Sequence, residues 1–207
     1  MPEIERFLDA LASSSPTPGG GAAAAYAAAM GAALVGMAAR LTSGRRFQKV
    51  RNDVAHIVEQ TSDLRRRAES LAEDDQTAYQ AVADAQSMPR ATDEERARRS
   101  RCLQEALKGA ARPPLELMHC SLAVTRVAHQ LATIGNPALI TDTASGSLLA
   151  TAAFRAARLN VEANLHLIRD REWVAEIRGI MQTMGDPAGW DAETQAVAQN
   201  VLRAESG

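Results

Sequence analysis

The sequence predicts an all-α fold, an antiparallel bundle of long helices in a single domain over residues 1–207. Apolar residues recur at spacings of three and four along most of the chain, as on the buried face of a helix, and no alternating strand pattern is visible. Aromatic residues make up only 3% of the chain, so the core consists mainly of alanine and aliphatic side chains. Such a core suits close packing of helices.

The spacing divides the chain into eight helices. Thr92 followed by Glu95 predicts a capping box at the start of the fourth. Pro113 and Pro114 are expected to open the fifth, and Asn136 followed by Pro137 to cap the sixth. The expected helices lie near residues 3–12, 20–41, 46–85, 92–111, 113–133, 137–168, 170–184 and 190–204.

Residues 10–39 contain no charge and are long enough to cross a bilayer. They consist mainly of Ala, Gly and Ser, with few of the strongly apolar side chains that drive insertion, so we interpret the helix as buried in protein. Gly31 and Gly36 leave room there for a neighbouring backbone. One face of this second helix carries Tyr26, Met30, Leu34, Met37 and Leu41.

Composition excludes several functional classes. A net charge of −2 argues against nucleic acid as the main partner. Cys102 and Cys120 lack close spacing, so we expect neither a disulfide framework nor a zinc site. A reducing cytoplasm is the expected setting. Acidic residues near the amino terminus do not fit a signal peptide, and we expect no membrane partner.

The segment 15–21, here called the glycine loop, reads Ser-Pro-Thr-Pro-Gly-Gly-Gly and directly precedes the alanine-rich second helix. Glycines permit close backbone approach and leave free N–H groups at a helix start, where an anion or a carbonyl can bind. The alternative is a tight turn that lets two helices pack closely. The residues alone leave both interpretations open.

Two aspartates fall where apolar residues are expected. Asp75 continues the apolar seam of the third helix, which consists of Val50, Val54, Ile57, Thr61, Leu64, Ala68 and Leu71. Asp142 shares one face of the sixth helix with Asn160 and Asn164. Inward carboxylates are paired, partly solvated or functional, and two of them would suit general acid–base chemistry. A structural hydrogen-bond network between helices is the alternative for the stripe that contains Asp142.

A basic cluster that includes Arg45 and Arg46 follows the break after the second helix. Positive charge at a helix start opposes the helix dipole, which favours a recruited anion such as a carboxylate tail over an ordinary basic surface. Glu116 and His119 have the spacing used by di-iron bundles, but no second copy occurs, so we expect no metal.

These segments together resemble the methenyltetrahydrofolate cyclohydrolase and formiminotetrahydrofolate cyclodeaminase family. The similarity spans most of the chain, and the length resembles that of the free-standing cyclohydrolases. The motifs that carry it are Phe7 to Gly21 with its Pro-Thr-Pro-Gly-Gly-Gly, Leu41-Thr-Ser-Gly44, Asp74-Asp75 with Tyr79, Pro114-Leu115, Asn136, Thr141-Asp142, and Asn160 to Leu165.

The resemblance implies an all-α homodimer that binds folate between helices and hydrolyses 5,10-methenyltetrahydrofolate to 10-formyltetrahydrofolate, with no cofactor beyond the folate substrate and no metal. It makes Asp142 the candidate base, with Asp75 as a second catalytic carboxylate. Asp142→Asn is expected to keep folate binding and lose most turnover. The implied substrate-binding residues are Thr17, Pro18, Gly19, Gly20, Gly21, Arg45, Arg46, Asn136, Asn160 and Asn164.

Two alternatives remain at this point, besides a family member recruited to another small cyclic amidine. A cyclodeaminase would use the same pocket to expel ammonia from 5-formiminotetrahydrofolate, and the sequence does not separate the two reactions. A helical binding or assembly protein would keep the fold without folate chemistry. The absence of a formiminotransferase domain favours the hydrolase.

Overall fold

The computed structural model describes residues 2–204, which form seven α helices and contain no strand. Two short 3-10 segments, Arg45–Val50 and Pro137–Leu139, precede the third and fifth of these helices. The all-α prediction is therefore confirmed for this range. The helices are α1 (Pro2–Leu11), α2 (Gly20–Leu41), α3 (Arg51–Ser87), α4 (Asp93–Ile134), α5 (Ile140–Leu167), α6 (Arg171–Met184) and α7 (Ala188–Ala204).

Helix α2 lies at the centre of the bundle and packs against α3, α4 and α5. Its buried face is mostly alanine, which keeps the neighbouring helices close. Where α5 crosses, a Cβ on Gly31 would lie 2.7 Å from the carbonyl oxygen of Gly146, closer than real Cβ atoms approach backbone. The expectation that Gly31 leaves room for a neighbouring backbone is confirmed.

Helices α2 and α5 run antiparallel along their whole length. At one end Gly20 lies beside Asn160, and in the middle Gly31 meets Gly146. At the other end the backbone N–H of Asn136, just before α5, donates to the Thr42 hydroxyl at 3.0 Å. The glycine loop therefore lies near the end of α5, and the basic cluster lies near its beginning.

The apolar seam predicted for the third helix is buried in α3. Val54, Ile57, Ala68 and Leu71 are almost fully excluded from solvent. The preceding residues, 45–50, form a 3-10 segment, so α3 begins at Arg51 and not near Arg46 as the spacing predicted. The predicted capping box at Thr92 is confirmed, because its hydroxyl accepts from the Glu95 amide while the Glu95 carboxylate accepts from the Thr92 amide.

The predicted break at Pro113 and Pro114 is wrong, because α4 continues through both prolines to Ile134. Proline at position 114 removes the amide that would bond the carbonyl of Ala110. The side-chain amide of Asn164 on α5 donates to that carbonyl instead, at 3.1 Å. A neighbouring helix thus supplies the donor that the proline lacks, and α4 stays continuous.

The large side chains on one face of α2 point to solvent. Tyr26, Met30, Met37 and Leu41 are 36–53% exposed, whereas the small residues on the opposite side are buried. Within residues 2–204, α2 is the one helix long and apolar enough to cross a membrane, and 61% of its most apolar window is buried in the bundle. The structure therefore gives α2 a buried small-residue face and an exposed apolar face.

Candidate active site

A cavity of about 360 Å³ opens at the amino terminus of α2, between the glycine loop, α3, α4 and α5. We call it the glycine-end cavity. The sequence predicts ten substrate-binding and two catalytic residues, and seven of these twelve line the cavity. They are Thr17, Gly19, Gly20, Gly21, Asp75, Asn160 and Asn164. Pro18 belongs to the same loop, with a cis peptide bond to Thr17, but does not line the cavity.

Asp75 is the carboxylate of this cavity. It is half-buried, and its carboxylate packs directly against the backbone of Gly21. Within residues 2–204 no group gives it a hydrogen bond or an ion pair, whereas the neighbouring Asp74 pairs with Arg67 at 3.3 Å. Burial without a compensating cation raises the pKa of the Asp75 carboxyl above its ordinary value of 3.8. A carboxylate in this state is a better proton acceptor than a solvated one.

Asn160 and Asn164 form the α5 wall of the cavity, one turn apart. The amide nitrogen of Asn164 donates to the carbonyls of Ala110 and Asn160 at 3.1 and 3.0 Å. The amide nitrogen of Asn160 donates to the carbonyl of Ala156 at 3.0 Å. With the nitrogens held in this way, the side-chain oxygens of both asparagines are the atoms available to accept a hydrogen bond from a ligand.

The glycine loop ends at Gly19, which precedes α2 in an extended conformation and makes no side-chain capping bond. The first amides of a helix have no partner inside the helix, and no side chain at the N-cap bonds to those of Gly20 and Gly21, which line the cavity. Their partial positive charge favours an anion or a carbonyl oxygen. The glycine-end cavity thus brings a helix amino terminus and a carboxylate close together.

A second cavity, of about 520 Å³, lies at the opposite end of α2 and is here called the basic-end cavity. Arg45 and Arg51 line it, and neither has an acidic partner among residues 2–204. Arg46 donates to the side-chain oxygen of Asn136 at 2.6 Å, and that oxygen also accepts from the amide of Ala138. Asn136 therefore caps the segment before α5, as predicted, and holds Arg46 beside the cavity.

The predicted residues thus divide into two groups that one chain does not bring together. Asp142 and Asn160 share a helix stripe, but about five turns separate them, or about 27 Å along α5. Asp142 lies in the first turn of α5 and lines neither cavity. The expectation of a single site that contains Asp142, Asn160 and Asn164 does not hold within one chain. Residues on the same face of a helix point in the same direction, but they can still lie far apart along the helix axis.

Several cavity residues were not singled out as site residues from the sequence. Tyr79, Val82 and Gln86 follow Asp75 along the same face of α3, and Leu107 and Leu167 add apolar walls from α4 and α5. The helical spacing after Asp75 could have identified the first three. Leu107 and Leu167 carry no local signal, because only the packing of α4 on α5 brings them to the cavity.

The described residues contain no group of three or more His, Cys, Asp or Glu side chains placed to hold a metal ion. Both cysteines are free thiols, Cys102 exposed and Cys120 buried. The glycine-end cavity brings together one carboxylate, two amide side chains and a helix terminus, which can serve in proton transfer and hydrogen bonding.

Comparison with known proteins gives consistent results. Residues 3–183 match the family described as formiminotransferase-cyclodeaminase. The chain is 42% identical over 187 residues to a methenyltetrahydrofolate cyclohydrolase from Methylorubrum extorquens, a match that covers 88% of this chain and 90% of that protein.

Two further relatives carry the cyclodeaminase name. The chain is 31% identical to a formimidoyltransferase-cyclodeaminase from Sus scrofa over 93% of its own length but only 35% of that longer protein. The crystal structure of a formiminotetrahydrofolate cyclodeaminase from Thermotoga maritima superimposes with a TM-score of 0.82 at 28% identity, covering 96% of each chain.

Proposed function

Since this chain belongs to the formiminotransferase-cyclodeaminase family, we propose that it hydrolyses 5,10-methenyltetrahydrofolate to 10-formyltetrahydrofolate. The observation that carries the proposal is Asp75, a half-buried carboxylate without a cationic partner in the described residues, beside uncapped amides in a cavity. The relative that shares both the length and 42% of the sequence is named for this activity.

The structure of the substrate determines which groups the site has to supply. Its methenyl carbon belongs to an amidinium cation and is already electrophilic, so the enzyme has to add a positioned water, a proton acceptor and nearby negative charge. Asp75 meets two of these needs, because its carboxylate lies in the cavity and its raised pKa improves it as an acceptor. The oxygens of Asn160 and Asn164 can orient the water or the pterin.

The reaction proceeds in two steps. As water attacks the methenyl carbon, a carbon–oxygen bond forms, Asp75 takes a proton from the water, and a neutral hydroxyl adduct results. The bond from that carbon to N5 then breaks, N5 takes the proton held by Asp75, and the adduct hydroxyl loses its proton as the formyl group forms on N10. One proton is released overall, and Asp75 returns to its ionised form.

The remaining residues bind the folate. The uncapped amides of Gly20 and Gly21 donate to a pterin carbonyl, and Tyr79 offers an aromatic face at the cavity wall. At the basic-end cavity, Arg45 and Arg46 offer positive charge to a carboxylate such as one of the glutamate tail. Water and these side chains suffice, so the reaction uses no metal and no cofactor besides folate. The protein works as a homodimer in the cytoplasm, where its free thiols stay reduced.

The cyclodeaminase reaction is the second candidate, favoured by the structural match to the Thermotoga maritima protein. Ring closure there needs a proton donor for the departing amine, and a protonated Asp75 could serve. Purified protein is therefore assayed with both substrates, methenyltetrahydrofolate by loss of its absorbance at mildly acidic pH and 5-formiminotetrahydrofolate by ammonia release. Fast absorbance loss without ammonia release supports the hydrolase, and the reverse result replaces it with the cyclodeaminase.

A further inference from the structure

Pro114 lies inside α4, in the part of that helix that forms one wall of the glycine-end cavity. Proline carries no N–H, so the carbonyl of Ala110, one turn earlier, lacks the donor that another residue at position 114 would supply. Ala110 lines the cavity and is only 8% exposed. A buried carbonyl is costly to leave without a hydrogen bond, so this one needs a donor from outside α4.

Asn164 on α5 supplies that donor, and the bond fixes the orientation of its own side-chain amide. The side-chain nitrogen has two hydrogens, which the carbonyls of Ala110 and Asn160 accept at 3.1 and 3.0 Å. A flipped amide would place the Asn164 oxygen against two carbonyl oxygens, where no hydrogen bond can form. The two carbonyls therefore hold the nitrogen and leave the oxygen available to a ligand in the cavity.

Asn160, the other asparagine of this wall, is held differently. Its side-chain nitrogen donates to the carbonyl of Ala156, four residues earlier on the same helix, at 3.0 Å. Of the three hydrogen bonds that the two side-chain nitrogens donate within residues 2–204, one crosses from α5 to α4, and it is the bond from Asn164 to Ala110. The orientation of Asn164 thus depends on a carbonyl that is open because residue 114 is proline.

We propose that Pro114 is a positioning residue, which leaves the Ala110 carbonyl to Asn164 and thereby makes Asn164 present an oxygen to the substrate. The inference rests on the proposed function, in which that oxygen orients the attacking water or the pterin. An amide at position 114 would compete for the Ala110 carbonyl. The Asn164 side chain would then be free to rotate and to present its nitrogen, a donor, where the ligand needs an acceptor.

Pro114→Ala restores the missing amide. Alanine is far more favourable than proline inside a helix, so the variant is expected to keep or raise the melting temperature. Loss of one oriented hydrogen bond is nevertheless expected to lower kcat/KM for methenyltetrahydrofolate by about 3- to 10-fold. A purely structural role of Pro114 would not combine lower activity with unchanged or higher stability.

Pro113→Ala is the matched control, because it removes the neighbouring proline from the same helix. In α-helical geometry its amide would bond the carbonyl of Gly109, which neither lines the cavity nor accepts from Asn164. This variant is expected to keep wild-type kcat/KM. An equal loss in Pro113→Ala and Pro114→Ala, or no loss in Pro114→Ala, overturns the proposal.

A double-mutant cycle tests whether Pro114 acts through Asn164. Asn164→Ala removes the side-chain amide, so adding Pro114→Ala to it is expected to change kcat/KM by less than about twofold. A further loss as large as that of Pro114→Ala alone would show that Pro114 acts through another group, which overturns the proposal.

The bond between Asn164 and Ala110 is also measured without substrate. In protein labelled with ¹⁵N at asparagine, the side-chain NH2 signals of Asn164 are identified by their absence from Asn164→Ala. They are expected to exchange with solvent about 3- to 10-fold faster in Pro114→Ala than in wild type or Pro113→Ala. Equal exchange in the three proteins contradicts the proposal. If the rates differ as expected but wild type does not hydrolyse methenyltetrahydrofolate, the proposed function fails instead, and the cycle is run on 5-formiminotetrahydrofolate by ammonia release.

Discussion

Replacing Gly21 with alanine tests whether the position of the Asp75 carboxylate controls turnover. A Cβ on Gly21 would lie closer than 3.0 Å to the Asp75 carboxylate, a separation that real Cβ atoms do not adopt. The carboxylate therefore has to retreat by about 1 Å to restore van der Waals contact. A displacement of that size at a catalytic group costs about 100-fold in rate, which equals about 2.7 kcal/mol of transition-state stabilisation.

Gly20→Ala is the matched control, because its Cβ would lie 4.0 Å from the nearest atom, the amide nitrogen of Asn160. Both variants replace a glycine in the first turn of α2, so their effects on helix propensity are similar. Steady-state hydrolysis of methenyltetrahydrofolate is measured for both, with thermal melts to verify folding. The reasoning is refuted if folded Gly21→Ala retains activity within threefold of Gly20→Ala.

The remaining predictions concern stability. Asp75→Asn should raise the melting temperature at pH 7, because burial raises the pKa of the Asp75 carboxyl and its ionised form therefore destabilises the folded state. The gain should vanish as the pH falls below 3.8, where the carboxyl is protonated in both the folded and the unfolded state. A gain in melting temperature that does not depend on pH contradicts this explanation. Asn164→Leu should lower the free energy of unfolding in urea by about 1–3 kcal/mol, and by less in a Pro114→Ala background that restores a backbone donor. Gly31→Ala should cost about 1–3 kcal/mol in the same assay through overpacking against α5. Gly109→Ala, whose Cβ meets nothing within 4 Å, should not destabilise, and equal losses would refute the packing argument.

The helices were predictable because each is long and its apolar spacing repeats many times. The seam of α3 shows this best, since the apolar residues of its successive turns lie on the same face and are buried together in the structure. The capping box at Thr92 was equally accessible, because both partners lie within one turn. Local signals of this kind need no knowledge of distant residues.

The continuity of α4 was not predictable, because its cause lies in another helix. Two prolines ordinarily end a helix, and nothing near them in sequence indicates otherwise. The donor that replaces the lost amide is Asn164, which reaches α4 only after α5 has packed against it. Asn164, which the sequence presented as a ligand-binding residue, therefore also stabilises the fold.

The candidate site was predictable in its parts but not in its assembly. Asp75 could be identified because a carboxylate interrupted an apolar seam, and the glycine loop because of its composition. The spacing along α5 suggested that Asp142 and Asn160 act together, but periodicity gives only the face of a helix. Their separation of about 27 Å follows from helix rise once both lie on one unbroken helix.

The most direct test of the central claim compares Asp75→Asn with Asp74→Asn in methenyltetrahydrofolate hydrolysis. Both changes remove one carboxylate from adjacent positions of α3, but Asp74 pairs with Arg67 and does not line the cavity. If Asp75 is the general base, kcat falls about 100-fold or more in Asp75→Asn, while Asp74→Asn keeps wild-type turnover. Equal turnover of the two variants would contradict the assignment of Asp75 as the base.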